Sequence, residues 1–442
     1  MVSPTDTTQS ERLLRRVKPR RPGFRLLFSA ESILPDAPWY PLEPGEHWIG
    51  RQIGKQPGLC LEKDSRASRL HAVVRSSATA TPIEIRDADS KNGLFINGFC
   101  RQQAALCDGD IVRIGQSLLL FRYEQADCED ASVSSLLGIS APQRSLRVRV
   151  RATSRDDSVV LLLGESGTGK DLTARALHAE SGRGGPMICV NCGAIPDSLA
   201  ESQLFGHVAG CFTGAQKDRL GFFTAAQRGT LFLDEIGELS TRGQALLLRA
   251  LEERMVTPVG ATVPTVCDVR IIAATNRELP RAVETGQFRG DLYARLAATV
   301  LRLVPLRSRH EDILLLLAHA LGPRSLGMTA RLAEALLLYP FPFNVRELNQ
   351  IAKDLIASGE DLLDLPLVAE RLTAPLQVGG LLKPAESPQA VSKQPLSRDV
   401  LLRLLSEHHG VIARVAKAAG RSRRQVMRWL EQYQLDSQQY KG

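Results

Sequence analysis

The spacing of apolar positions changes character twice along this chain. Between roughly residues 24 and 123, apolar and polar residues alternate in short runs, with Asn92-Gly93, Asn97-Gly98 and Asp108-Gly109 as turn signals between them. A period of two bounded by such turns predicts strands, here 24–29, 47–51, 72–76, 83–86, 93–96 and 111–122. Together they read as an all-β sandwich. From about 136 onward, apolar runs such as 159–163, 231–233 and 269–274 alternate with longer helical patterns, as in an α/β sheet. The last 46 residues are helical in period only: Ser397 can cap a first helix to about His409, a second covers 411–419, and a third follows the turn Gly420-Arg421-Ser422. No internal repeat stands out.

Two stretches fit none of these patterns. Residues 125–135 are polar, acidic and serine-rich, and 374–396 carry Pro375, Pro384, Pro388 and Pro395 with Gly379 and Gly380. Both read as linkers. The expected organisation is a basic flexible arm (1–23), a β-sandwich (24–123), a linker (124–135), an α/β core (136–304), a small helical lid (305–373), a second linker (374–396) and an all-α tail (397–442).

Composition narrows the classes. With 43% hydrophobic residues in 442, the chain can bury real cores. No apolar run approaches the length of a membrane span, and the start lacks the apolar stretch of a signal peptide. Instead Arg12, Arg15, Arg16, Lys18, Arg20 and Arg21 form a basic arm, read as a solvated tail. Of eight cysteines only Cys189 and Cys192 form a CxxC, so they read as reduced, structural thiols. The expected location is the cytoplasm, with no membrane partner. The formal net charge is +8, and from Ser397 onward nine Lys/Arg face four Asp/Glu. That excess of +5 in the last tenth of the chain favours a polyanion as the tail's partner.

The most specific local pattern is Gly164-Glu165-Ser166-Gly167-Thr168-Gly169-Lys170, with an apolar run before it and a helical pattern after it. A glycine-rich turn between strand and helix lets backbone N–H groups close around phosphates, and Lys170 adds a full positive charge. Where the usual pattern has Ser or Thr for magnesium, Asp171 stands. Further on, Leu231-Phe232-Leu233-Asp234-Glu235 is an apolar run ending in two carboxylates. Alone, such a pair is a solvated strand end. After a phosphate loop, it is the place for a magnesium ligand and for a group that orients attacking water.

These residues do not stand alone. With Leu204-Phe205-Gly206-His207, Gly210-Cys211-Phe212-Thr213-Gly214-Ala215, the stretch 229–237 and Phe288-Arg289-Gly290-Asp291-Leu292-Tyr293-Ala294-Arg295-Leu296, the region 136–372 resembles the AAA+ domain of sigma-54-dependent transcription activators. The resemblance implies an α/β P-loop ATPase that uses ATP and Mg2+. It places residues 164 to 171 around the nucleotide, Lys170 on the β- and γ-phosphates, Asp234 on magnesium and Glu235 on the water. Asn191 matches an asparagine that restrains that glutamate, Asn276 the first sensor, and Arg346 the second sensor in the lid. Arg289 and Arg295 match arginines that reach a neighbouring subunit's site, where they would neutralise charge developing on the γ-phosphoryl group. The plain reading of an arginine beside Asp291 is a surface ion pair. Trans-acting fingers imply a homo-oligomer, from dimer to hexameric ring.

In the same family the loop matching Gly210 to Ala215 touches sigma-54, here with Cys211 in place of alanine. The assignment rests on the resemblance, since a short Gly-Phe-Thr loop has no physical need of a polymerase. Two other departures are Ala294 for a tyrosine and Phe341-Pro342-Phe343 for Trp-Pro-Gly. Loss of that glycine is expected to shift the lid turn and the placement of Arg346.

The first region has its own likeness. Gly50-Arg51, Ser68-Arg69-Leu70-His71, Asp89-Ser90-Lys91-Asn92-Gly93 and Asn97-Gly98 resemble a forkhead-associated (FHA) domain over 24–123. Such domains bind phosphothreonine peptides, which implies contacts from Arg51, Ser68, Arg69 and Asn92, with Lys91 nearby, while His71 braces the loop. Arginine supplies the charge-assisted fork that this ligand needs. The plain alternative is a sandwich that only docks within its own chain. The tail resembles the Fis-type helix-turn-helix of the same activators, with Arg421, Arg423, Arg424, Gln425 and Arg428 toward DNA.

The combined expectation is an activator that binds upstream enhancer DNA and assembles a ring. It spends ATP to open the promoter held by sigma-54 RNA polymerase, under control of a phosphothreonine protein or Ser/Thr kinase. Two rivals remain: a DNA-bound adaptor that has lost hydrolysis, and an AAA+ remodeller of another DNA-bound complex.

Overall fold

The computed structural model describes residues 20–373 apart from 78–81, 126–129, 212–214 and 323–326, and beyond 373 only Tyr433 and Leu435. Residues 1–375 cluster as one unit and 376–442 as another. The tail residues Arg421, Arg423, Arg424, Gln425 and Arg428, and Phe212, Thr213 and Gly214, therefore lie outside the described residues.

The front of the chain is a sandwich of two sheets, one of seven strands and one of five. In the larger sheet Arg20–Ser29 pairs antiparallel with Ser117–Gln125, and Ile111–Ile114 lies on the other side of that strand. Two expectations need correcting here. The arm's last residues, Arg20 to Gly23, are strand, because Ser117–Gln125 is long enough to pair with them residue for residue. The single strand expected over 111–122 is a hairpin: Gly115 at φ +59 turns the chain so that Ile114 pairs with Ser117.

Alternation within Ser117–Gln125 explains how the sandwich sits. Leu119 and Phe121 point into the sandwich core with Phe24 and Val112. Leu118 and Leu120 point the other way, into a core shared with Leu314, Leu317, Leu336 and Leu337 of the lid. Both faces of this sheet are buried, so the strand reads apolar without a break. Two ion pairs flank the shared core, Arg113 to Glu334 at 2.8 Å and Arg122 to Glu311 at 2.9 Å.

The central sheet has five strands in the order Met187–Asn191, Thr230–Asp234, Arg270–Thr275, Val160–Leu163, Thr299–Arg302, all parallel. Parallel strands covered by helices on both faces bring their C-terminal ends to one edge, where ligands bind in such sheets. The lid follows as helices His310–Leu321, Ala330–Leu338 and Asn344–Ala357. The segment expected as a linker, 124–135, packs on the central domain. Val133 is buried in that domain's core, and Asp130 pairs with Arg147 at 2.6 Å. No helix among the described residues is long and apolar enough to cross a membrane.

Candidate functional site

The phosphate loop leaves Val160–Leu163 and enters helix Lys170–Ala179 at the C-terminal edge of the sheet. Gly167 and Gly169 take φ of +77 and +105, which aims their backbone N–H groups in a way side-chain-bearing residues rarely allow. Lys170 lies folded over the loop, its Nζ donating to the carbonyls of Gly164 at 2.9 Å and Glu165 at 3.2 Å. Burial pulls its pKa down, and the nearby charges of Glu235 and Asp234 pull it back up. The lysine thus feels both carboxylates that end the apolar strand.

Asp234 closes strand Thr230–Asp234 and lies beside Asn191 in register. Its Oδ1 accepts from the N–H of Glu235, which sits at φ +52. Asn191 uses its own Oδ1 to accept from Gly193 N–H at 2.9 Å, capping the turn after its strand. Asn276 is exposed and follows directly on Arg270–Thr275, whose last carbonyl accepts from Gly164 N–H at 3.3 Å. One edge of the sheet therefore gathers Lys170, Asp234, Glu235, Asn191 and Asn276.

The lid closes over this edge. Val345 N–H donates to Gly167 O at 3.0 Å, Asn344 Nδ2 to Glu165 Oε2 and Ser166 O at 3.1 Å each, and Arg346 Nη1 to Ser166 Oγ at 3.0 Å. Glu165 is also held by Arg307, and that guanidinium keeps its carboxyl below the usual range. At the lid turn Phe343 takes φ −109, open to any residue, and the left-handed positions fall on Phe341 and Asn344. Phe341 is fully buried and Phe343 is 59% exposed, so the apolar anchor is kept and the extra ring lies outside.

A cavity of about 290 Å3 lies between loop, core and lid, with Leu136, Leu137, Leu172, Leu303 and Val345 in its walls. An apolar slot beside a phosphate loop suits a flat heterocyclic base. Sequence reasoning missed these residues. The available signal was the apolar Val133, Leu136 and Leu137 inside an otherwise polar stretch.

Arg289 and Arg295 are elsewhere, on the surface. Arg289 pairs with its neighbour Asp291 at 2.6 Å and Arg295 approaches Glu252 at 4.0 Å; all four side chains are well exposed. The loop from Gly210 is closed at its base by Gly210 N–H to Ala215 O at 2.7 Å. Val208 donates to Val259 O, and Gly260 packs so closely on Cys211 that a Cβ there would lie 2.6 Å from it.

At the loop end of the sandwich, Arg51, Ser68, Arg69, Lys91 and Asn92 line one open pocket. Arg51, Arg69 and Lys91 are exposed, and none makes an ion pair with a described residue. The pocket is braced from behind. Ser68 N–H donates to His71 Nδ1 at 3.1 Å, so Nε2 carries the hydrogen toward Gly93 O at 3.1 Å. Lys91 N–H donates to Ser68 Oγ, and Asn92 Nδ2 donates to Arg66 O at 2.6 Å. Asn92 therefore ties two loops together as well as facing the pocket.

Fold and site together define a P-loop α/β domain of the AAA+ type with a helical lid, fused to an FHA sandwich. The sigma-54 interaction domain family matches residues 136–302 and the FHA domain family residues 47–115. The transcriptional regulatory protein ZraR of Escherichia coli K12 is 38% identical over 310 residues, 67% of this chain and 68% of its own length. The C4-dicarboxylate transport regulator DctD of Pseudomonas aeruginosa is 42% identical over 299 residues, covering 64% of this chain. This chain belongs to the sigma-54-dependent transcriptional regulators. The matched part spans 61% of the length of DctD and 66% of that of the E. coli regulator GlrR. Among solved structures, NtrX of Brucella abortus in complex with ADP superposes with a TM-score of 0.50 at 28% identity, covering 68% of this chain and 70% of that one.

Proposed function

We propose that this protein hydrolyses ATP to remodel the closed complex of sigma-54 RNA polymerase, and that phosphothreonine recognition by its FHA domain controls that work. The observation that carries the ATPase reading is the convergence of Lys170, Asp234, Glu235 and the lid residue Arg346 on one glycine-rich loop. Lys170 would exchange its two loop carbonyls for phosphate oxygens. Mg2+ fits the donor set, because it is usually held by one or two carboxylates plus substrate phosphates, and Asp234 would be that carboxylate. Bound there, the ion would neutralise phosphate charge. Glu235 would orient the attacking water, with Asn191 and Asn276 reporting whether the γ-phosphate is present.

The exposed arginines support an assembly in trans. Among the described residues Arg289 and Arg295 each hold one exposed surface partner, worth little in water, which a neighbour's phosphate would outcompete. The resulting oligomer, up to a hexamer, would present loop 210–215 to sigma-54. The tail, through Arg421, Arg423, Arg424, Gln425 and Arg428, would hold upstream DNA. Arg51, Arg69 and Lys91, which form no ion pair with a described residue, lie beside Ser68 and Asn92 and suit a doubly charged phosphate on a peptide from a threonine kinase or its substrate.

The deciding experiment is promoter opening with purified sigma-54 polymerase, ATP and either this protein or Glu235→Gln. Opening that depends on ATP and is lost in Glu235→Gln supports the reading. Absence of hydrolysis by the assembled wild-type protein would instead favour a DNA-bound adaptor.

A further inference from the structure

Two open cavities meet at one residue. The first is the pocket with Arg51, Ser68 and Arg69 in its wall; the second, of about 570 Å3, lies between the sandwich and the lid, and Arg66 lines both. The loop bearing Arg66 is fixed in place. Asp64 is fully buried, and its carboxylate accepts from Arg66 N–H at 3.0 Å, Ala67 N–H at 3.1 Å, Gln116 N–H at 2.7 Å and Ser117 Oγ at 2.8 Å. These bonds clamp the loop to the 115–116 turn, where a Cβ on Gly115 would stand 2.6 Å from Ala67 N. The opposite wall of the cleft is the lid, with Arg331, Glu334 and Leu338 of helix Ala330–Leu338 and Leu362 beyond it.

The cleft's surface is unlike a sealed interface. Leu338 and Leu362 are 40% and 48% exposed. Arg66 and Arg331 are exposed and form no ion pair with a described acid, while Glu31 and Asp364 also line the cleft and Asp364 lies within electrostatic reach of Arg331. Glu334 gives one oxygen to Arg113, while its Oε1 is buried without a hydrogen bond among the described residues. Among these mixed charges, the exposed Arg66 and Arg331 guanidiniums and two exposed leucines fit a strand that presents an acidic residue beside apolar ones.

We infer that the phosphopeptide site is composite: residues flanking the phosphothreonine pass Arg66 into the cleft, where Arg331, Leu338 and Leu362 of the lid select acidic and apolar side chains. This rests on the phosphothreonine reading above and adds the partner's chemistry to it. A peptide held this way touches both the sandwich and the lid whose next helix carries Arg346.

The test uses the full chain, immobilised, and a pool of peptides with one fixed phosphothreonine and degenerate positions on both sides. The wild-type protein should enrich acidic and aliphatic residues at flanking positions by about fivefold, the scale of one exposed ion pair or small apolar contact. Arg331→Glu should reverse the acidic preference to a basic one at one position, and Leu338→Ser should erase the aliphatic one. A reversed preference cannot come from misfolding. If retention needs the phosphate and is lost in Arg51→Ala, yet wild type and both lid variants select identical residues, the composite site is wrong and phosphothreonine reading stands. If the wild type shows no phosphate-dependent retention, both fall together.

Discussion

Arg113 of the sandwich gives its Nε–H to Glu334 of the lid at 2.8 Å while its guanidinium lies 3.8 Å from the centre of the Phe95 ring. The pair is mostly buried, with side chains 19% and 10% exposed. Such a contact is held by stacking and by charge at once, and it stands at the border of a core that two domains share.

Removing one partner should therefore cost more than a surface pair does. Glu334→Ala or Arg113→Ala is expected to destabilise the sandwich–lid unit by about 1–3 kcal/mol, because the remaining charge is left desolvated. The double variant should cost clearly less than the sum. Urea unfolding followed by fluorescence measures this, and strict additivity would show that the pair contributes nothing of its own.

The lid latch should depend on pH through Glu165. Its folded pKa is depressed, chiefly by Arg307 and then by Asn344 against the opposing effect of burial. Its contribution is thus fully present above the ordinary glutamate range and is lost as pH falls through the depressed value. The stability difference between wild type and Glu165→Gln should stay level near neutrality and shrink only in acid. A difference that instead grows toward acid would contradict the sign.

Thiol reactivity should divide by burial. Cys192 is buried, and burial first, with Asp234 and Glu235 adding to it, pushes its thiol up to about 12. Among the described residues Cys60, Cys100, Cys107 and Cys189 are exposed. Alkylation of the native protein at mildly alkaline pH should label those four before Cys192, which should react only after unfolding, as read by peptide mass spectrometry. Early labelling of Cys192 would mean that the strand end beside Asp234 opens readily.

Gly167→Ala should disable the nucleotide site. The left-handed φ of +77 disfavours any Cβ, and one placed there would stand 2.2 Å from Phe343 O. The left-handed conformation alone costs about 1–2 kcal/mol, and the lid must also retreat. ATP affinity by equilibrium dialysis is expected to fall at least about tenfold. Unchanged affinity would mean that the loop and lid separate freely when nucleotide binds.

How much of this was legible beforehand follows from the kind of signal each residue carried. Gly167, Gly169 and Lys170 announce a phosphate loop because backbone geometry demands those residues in that order. The hairpin at Gly115 went unread because the apolar residues on either side of Gly115-Gln116-Ser117 join into one strand pattern if an isolated glycine is taken as a weak breaker. The same run held an unread message: Leu118, Leu119, Leu120 and Phe121 in succession need two buried faces. Arg122 and Glu311 are 189 positions apart, and their pairing leaves no local trace. The tolerance of Phe343 depended on a φ value that no side-chain pattern encodes.

That two-faced sheet has a consequence for how such chains can be cut and recombined. A boundary drawn after residue 123 looks safe by composition, yet it would strip Leu27, Phe28, Ile111, Leu118 and Leu120 of their cover and leave Leu336 and Leu337 wet. Grafting this front domain onto a relative would fail unless the lid travelled with it. The packing unit is sandwich plus lid, interrupted in sequence by the entire central sheet.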